Sequence, residues 1–202
     1  MLPDRSSETP KLILASASPR RAELLEQIGL RFTQQAADID ESPLVGEAPD
    51  AYVMRLAAAK AQSVAGLLEQ GDDRTIVIGS DTTVVANGQI LGKPADEAQA
   101  RHMWALLSDA EHEVLTAVAV IRDGEVTQTL SRNRVAMRLI TSHEMAAYWA
   151  SGEPADKAGG YAIQGLGAIF VKCLSGSYSG VMGLPLAETA ELLSAVGIQT
   201  LG

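Results

Sequence analysis

A single cysteine, Cys173, stands in the 202 residues, so no internal disulfide can form, and no apolar stretch follows a basic start to suggest export. The expected compartment is the cytoplasm. No apolar run reaches the roughly 18 residues that a membrane span requires, because charge or glycine interrupts the richest windows. Positive charge is also scarce. Lys and Arg number 16 against 25 Asp and Glu, a net charge of -9, which argues against a protein that works by neutralising nucleic acid backbones. Any anion site must be a local concentration of basic side chains. There is no GxxxxGKS/T loop, no HExxH or CxxC pattern and no GxSxG elbow. His102, His112 and His143 form no ligand-like cluster. Gly165-Leu166-Gly167 lacks the third glycine and following helix of a dinucleotide fingerprint, which excludes a Rossmann dehydrogenase.

What is present reads as alternating strands and helices. Residues 1–10 are a polar tail, and residues 11–202 form one domain. A strand at Lys11 to Ala15 leads to a short amphipathic helix from Pro19 to Ile28, with Ser18 as N-cap and Gly29 as stop. A second strand is expected near Phe32 to Ala37, and Asp50 is expected to cap a helix from Ala51 to Leu68. Thr75 to Ile78 is a short buried strand ending at Gly79-Ser80-Asp81-Thr82, which puts Asp81 at its C-terminal edge. Asn87-Gly88 and Asp123-Gly124 mark hairpins, the second joining long strands at Glu113 to Arg122 and Glu125 to Arg138. Helices follow near Ala95 to Leu107, Ser142 to Ala150 and Pro185 to Val196, with a last strand at Ala168 to Leu174. Ser151 to Gly167 is glycine-dense and aperiodic, the pattern of a functional loop.

Three groups of residues carry chemistry. In Ser16-Ala17-Ser18-Pro19-Arg20-Arg21 a small-residue loop opens a helix whose free N–H groups and positive dipole end favour an anion. Two arginines in the first turn are electrostatically unfavourable there unless a phosphate compensates them, and arginine grips phosphate bidentately. The same residues are also what a solvated arginine pair behind a Ser-Pro cap looks like. Asp81 with Thr82 lies where open α/β sheets place ligands, and an acid there can hold a cation or orient a water; the alternative is an Asx-type turn. Asp38, Asp40 and Glu41 offer hard oxygen ligands for Mg²⁺ or Mn²⁺, or else a solvated acidic loop. Lys60 and Lys93 are the remaining candidates for neutralising phosphates, or ordinary surface lysines.

Leu12-Ile13-Leu14-Ala15-Ser16-Ala17-Ser18-Pro19-Arg20-Arg21-Ala22-Glu23-Leu24-Leu25 resembles the signature opening of the Maf proteins. Asp38-Ile39-Asp40-Glu41, Lys60, Gly79-Ser80-Asp81-Thr82, Gly92-Lys93-Pro94 and the loop from Ser151 to Gly165 recur in the family's order. The resemblance implies an α/β fold like that of the inosine-triphosphate pyrophosphatases, a mixed twisted sheet flanked by helices in two lobes with a cleft. It implies hydrolysis of nucleoside triphosphates to the monophosphate and pyrophosphate, with a divalent metal cofactor, Mg²⁺ or Mn²⁺, and a homodimeric state. Carried over residue by residue, Asp81 is the catalytic acid or base and joins Glu41 at the metal. Ser16, Arg20, Arg21, Lys60 and Lys93 line the phosphate path. Arg20, Thr82 and Gln164 resemble the branch acting on dTTP and UTP, where a carboxamide can match the O4 and N3–H edge of a pyrimidine; Gln164 tying its loop to backbone is the alternative. Ser80, Gly160 and Ala162 depart from the commonest family spelling, which bears on substrate preference. The family's link to inhibition of septum formation leaves a nucleotide-binding regulator of division as the rival function.

Overall fold

The computed structural model describes residues 10–68 and 74–200; the expected tail, apart from Pro10, lies outside them. Seven strands among these residues form one mixed sheet: β1 (Lys11–Leu14), β2 (Thr33–Gln34), β3 (Thr75–Ala86), β4 (Gln89–Leu91), β5 (Glu111–Arg122), β6 (Glu125–Met137) and β7 (Val171–Ser175). Their order is β2-β1-β3-β5-β6-β7, with β4 beside β3. β1 runs parallel to β2 and β3, and the remaining pairs are antiparallel. Among the described residues six α-helices flank the sheet: α1 (Pro19–Gln27), α2 (Pro49–Ala65), α3 (Glu97–Leu107), α4 (Ser142–Ala150), α5 (Tyr178–Met182) and α6 (Leu186–Ala195).

Each face is covered because each strand alternates its side chains. On one face Val53, Ala57 and Val64 of α2 pack on Val77, Val85 and Leu115. On the other, Leu24 and Leu25 of α1 and Leu193 of α6 pack on Leu12, Ile76, Ile78 and Val118. A third cluster, with Trp104, Tyr148 and Phe170, closes the far end around Val84, Val114 and Val135. Its rings meet at centroid distances of 5.3 Å (Trp104 and Tyr148) and 5.2 Å (Tyr148 and Phe170), within the range of favourable tilted and edge contacts.

The largest correction to the sequence reading concerns β3. It does not stop at Ile78 but continues through Gly79-Ser80-Asp81-Thr82 to Ala86, because β5 pairs with it without interruption from Val77 to Val85. Long-range ladder bonds here override a local composition that reads as a breaker. Asp81 is therefore in mid-strand, and the Asx-turn alternative is removed. On the opposite edge of β3, however, β1 pairs only with Thr75 to Ile78 and β4 only with Val84 to Ala86. The gap between β1 and β4 leaves the stretch around Asp81 open on that side. Asp81 thus still lies just past the C-terminal end of the parallel β1/β3 pair, where α/β sheets place ligands.

Smaller differences have local causes. β2 is two residues long, not six, since the chain turns away to brace the loop after β1, with Gln35 N donating to Leu14 O at 3.0 Å. α2 begins at Pro49, with proline in its first turn, and ends at Ala65; Asp50 lies inside that turn, where its carboxylate meets Arg132 at 3.0 Å. Ser18 holds the N-cap position of α1 without a side-chain cap; the hydroxyl of Ser16 accepts its N–H instead, at 3.2 Å. Asp96 caps α3 and Thr141 caps α4 in a reciprocal box with Glu144. The segment expected to be aperiodic contains 3-10 turns at Glu153–Asp156 and Ala158–Gly160, and a third, Leu166–Phe170, delays the last strand to Val171. The short helix α5 was not expected.

Candidate active site

Ser16, Arg20, Arg21, Glu41 and Lys60 lie on the walls of one cleft of about 480 Å³, and so do Asp81, Thr82, Lys93 and Gln164. Every residue that the family resemblance implies for the site is thus on this cleft, although they span nearly 150 positions of the chain. Of the acidic stretch, only Glu41 reaches the cleft. Asp40 instead folds back on its own loop, accepting the N–H of Ser42 at 2.8 Å, and Asp38 is not on the cleft wall.

The alternation of β3 sends Asp81 and Thr82 to opposite faces of the sheet, and the gap beside them opens both to the cleft. On the α2 face, Asp81 meets Lys60. The ammonium donates to Asp81 Oδ1 at 2.6 Å and lies 2.8 Å from Glu41 Oε1. Lys60 and Asp81 are buried, and their approach depends on Gly79, which lets β3 lie directly against the backbone of α2. Burial pushes the Asp81 carboxyl above the ordinary range, with the charges of Lys60 and Arg21 and the Lys60 hydrogen bond pulling back only in part. Glu41 responds the other way. Burial raises it, but the hydrogen bond and charge of Lys60, with Lys93 and Arg21 beyond, hold it below its usual value. Two carboxylates with similar partners are therefore pushed apart, the arrangement from which acid–base roles are drawn.

The loop bearing Glu41 is fixed on α2. Tyr52 donates its hydroxyl proton to Glu41 O at 2.9 Å, and Arg55 grips Glu47 at 2.6 and 2.7 Å through two nitrogens. The Arg55 hydrogen bond, opposed by slight desolvation and aided by the N–H of Leu44, lowers Glu47 to about 2. A depressed carboxylate contributes above its unfolded value of 4.5 and loses that contribution as pH falls through about 2. The protection of the Leu44 amide relative to an unstructured one, its N–H donating to Glu47 Oε2 at 3.0 Å, is expected to hold down to pH 4.5 and to decline progressively below it. Constant protection to pH 2 would show that the clamp does not hold the loop.

On the opposite face, Arg21 is half-buried and anchored at three points. Nε donates to Gly183 O at 2.9 Å, Nη1 to Ser16 Oγ at 3.1 Å and Nη2 to Thr82 Oγ1 at 3.4 Å. Burial lowers its pKa, offset in part by Asp81. Ser16 Oγ accepts from both Ser18 N and Arg21, so its single proton remains to be donated elsewhere. The Thr82 hydroxyl is also 3.0 Å from that of Thr116, which donates to Gly180 O at 2.7 Å. Gln34 steadies the loop by donating to Ser16 O at 2.8 Å. Ser80, one of the departures from the family spelling, reaches Ala117 O at 2.9 Å and Gly183 O at 3.0 Å. Sequence reasoning missed Gln34, Tyr52, Thr116 and the Gly183 corner, since their roles come entirely from distant partners.

The far wall is the glycine-rich loop. Glu153 accepts from Leu166 N at 2.8 Å, from Gly167 N at 3.0 Å and from the Tyr148 hydroxyl at 2.7 Å, while Trp104 Nε1 donates to Gly160 O at 2.9 Å. With the backbone held this way, Gln164 does not tie the loop down. It is exposed, and its carboxamide has no hydrogen-bond partner among the described residues.

No group of three His, Cys, Asp or Glu side chains suited to a metal occurs among the described residues, but Glu41 and Asp81 converge on one cation, the Lys60 ammonium. Such a carboxylate pair fits Mg²⁺ or Mn²⁺, which commonly take one or two protein carboxylates and complete their shell with water and substrate phosphates.

A mixed sheet with a carboxylate in a gap and basic side chains around it defines an α/β protein with a polyanion-binding cleft, and the chain belongs to the Maf family, whose profile, described as Maf-like protein, matches residues 11–196. Among its relatives, the dTTP/UTP pyrophosphatase of Shewanella sp. (strain MR-7) is 51% identical over 194 residues, covering 93% of this chain and 99% of the relative. The dTTP/UTP pyrophosphatase of Colwellia psychrerythraea is 49% identical, covering 95% of this chain and 91% of the relative. That of Methylococcus capsulatus is 50% identical, covering 96% and 95%. No helix among the described residues is long and apolar enough to cross a membrane.

Proposed function

We propose that this protein hydrolyses dTTP and UTP to the nucleoside monophosphate and pyrophosphate. The observation that carries the reading is the convergence of buried Asp81 with Lys60 and Glu41 in a cleft whose walls also carry Arg20, Arg21 and Lys93. The near-full-length likeness to proteins named dTTP/UTP pyrophosphatase supports the same substrates.

In this reading a water oxygen bonds to the α-phosphorus, the bond from that phosphorus to the bridging oxygen of the β-phosphate breaks, and the water's proton passes to Asp81. Lys60 engages Oδ1, which leaves the other carboxylate oxygen to take the proton. The raised pKa of Asp81 makes it a stronger proton acceptor than an exposed aspartate. Negative charge grows on the departing pyrophosphate, and Arg20, Lys60 and Lys93 meet it, with Ser16 as an uncharged donor. Arg21 holds Ser16 and Thr82 in place. Glu41 and Asp81 would hold the divalent cation, which when bound supplies further charge neutralisation and polarises the phosphoryl group. The free carboxamide of Gln164 offers one donor and one acceptor to the O4 and N3–H edge of uracil or thymine.

Residues 11–202 act as one bilobal catalytic domain, supported by the single continuous sheet. The net charge of -9 favours free nucleotides in the cytoplasm over nucleic acid as the partner, and family resemblance supports a homodimer.

Incubation with Mg²⁺ or Mn²⁺ and a panel of nucleoside triphosphates tests the proposal. Pyrophosphate and the monophosphate are expected as products, fastest from dTTP and UTP. Orthophosphate as the first product would replace the reaction type, and nucleotide binding without any hydrolysis would favour the regulator of division.

A further inference from the structure

One ion-pair arrangement on the cleft wall joins Arg20, already placed in the chemistry above, to two residues that have no part in it, Asp156 and Lys157. At the end of the 3-10 turn Glu153–Asp156, facing α1 across the cleft, the carboxylate of Asp156 accepts from the ammonium of Lys157, and its Oδ2 lies 3.8 Å from Nη1 of Arg20. All three residues line the cleft. The order of burial is unusual for a structural pair. The side chain of Asp156 is 65% exposed, whereas those of Lys157 and Arg20 are 14% and 22% exposed. The acid sits at the rim and the cations sit deeper.

That order has an energetic consequence. Exposed ion pairs are weak, so Asp156 can swing into solvent at small cost. Lys157 cannot leave so easily. Its N–H donates to Pro154 O at 3.2 Å, its carbonyl accepts from Gly160 N at 2.9 Å, and two residues on, Gly159 N donates to Gly92 O at 3.0 Å, beside Lys93. The backbone that carries Lys157 is thereby tied to the segment that carries a cation already assigned to the phosphate path. The cleft walls hold five cationic residues against three carboxylates. Glu41 and Asp81 are both engaged by Lys60, which makes Asp156 the counter-charge of the remaining wall.

We propose that Lys157 is a triphosphate-binding residue and that Asp156 is its resident counter-anion, which holds Arg20 and Lys157 in the empty cleft and gives them up when polyphosphate enters. The inference rests on the triphosphate reading of the cleft. It requires neighbouring residues to have opposite effects. Lys157 adds binding energy, while Asp156 competes with the ligand for the same cations.

The test is calorimetric titration of the full chain with inorganic tripolyphosphate, beside steady-state kinetics with UTP. Lys157→Met keeps the apolar stem and removes the charge. It is expected to weaken tripolyphosphate binding by about tenfold or more, the effect of losing one charge-assisted hydrogen bond, and to raise KM more than it lowers kcat. Lys157→Arg is expected to restore most of the affinity. Asp156→Asn is expected to bind tripolyphosphate more tightly than the wild type, by about threefold or more, as exposed pairs of this strength imply. Wild-type affinity in Lys157→Met, weaker binding in Asp156→Asn at unchanged melting temperature, or no tripolyphosphate binding by the wild type would each overturn the proposal. Binding is read without turnover. The expected signs in a chain that releases no pyrophosphate from UTP would uphold this inference and reject the proposed reaction, and the reverse result would do the opposite.

Discussion

Asp81→Asn is expected to lower kcat for UTP by about 10²–10⁴-fold, the usual worth of a positioned general base, with a much smaller change in KM. The substitution keeps the shape of the side chain and one hydrogen-bonding oxygen for Lys60, so the fold has little reason to respond. It removes the proton acceptor and half of the carboxylate pair that faces Lys60. The pH profile supplies a second check. Burial places Asp81 above the ordinary carboxylate range, and Lys60 and Arg21 oppose that rise. Protonation below its pKa disables the base, so the acid limb of kcat/KM belongs to this residue and lies above the range of an exposed aspartate. Lys60→Met removes a cation that favours the charged form, which moves the limb to still higher pH. Wild-type turnover in Asp81→Asn, or an acid limb that Lys60→Met shifts downward, would remove Asp81 from the mechanism.

Gly79→Ala is expected to destabilise the protein by about 3 kcal/mol, at the upper end of overpacking costs, and to lower the melting temperature by roughly 6–12 °C. A Cβ at this position would lie 2.2 Å from Ala57 O, 2.7 Å from Ala61 N and 2.9 Å from Ala61 Cβ. The first two are backbone atoms of α2 that cannot rotate aside, so the helix must lift from the sheet. Lys60 stands between them in sequence and lifts with it, which stretches the 2.6 Å contact to Asp81. Activity is therefore expected to fall even at temperatures where the variant remains folded. Gly92→Ala is the control, since a Cβ there meets nothing within 4 Å, and its stability should stay within about 0.5 kcal/mol of wild type. Equal melting curves for Gly79→Ala and wild type would mean that close helix–strand packing does not position Lys60.

Much of this was legible in the chain itself, because it depends on neighbours in sequence. The Ser-Pro start and Gly29 stop delimit α1, Asn87-Gly88 and Asp123-Gly124 set the hairpins, and the apolar period of α2 puts Val53, Ala57 and Val64 on the sheet. The residue types of the site were legible too, since a polyanion calls for arginine, lysine and small residues near a helix start. What the sequence could not decide was which of these residues meet, because each meeting is made by strand pairing or packing across long stretches of chain. The β5 ladder carries β3 through a segment that reads as a turn, and the gap between β1 and β4 then exposes Asp81 and Thr82 to one cleft from opposite faces. Glu41 is held by Tyr52 of α2 while Asp40 turns back on Ser42, Arg21 is held by the carbonyl of Gly183, and Asp156 lies between Arg20 and Lys157. Local physics determined the elements and the chemical kind of site; the tertiary structure alone decided the pairings, since hydrogen bonds and charges act over a few ångströms of space whatever their distance along the chain.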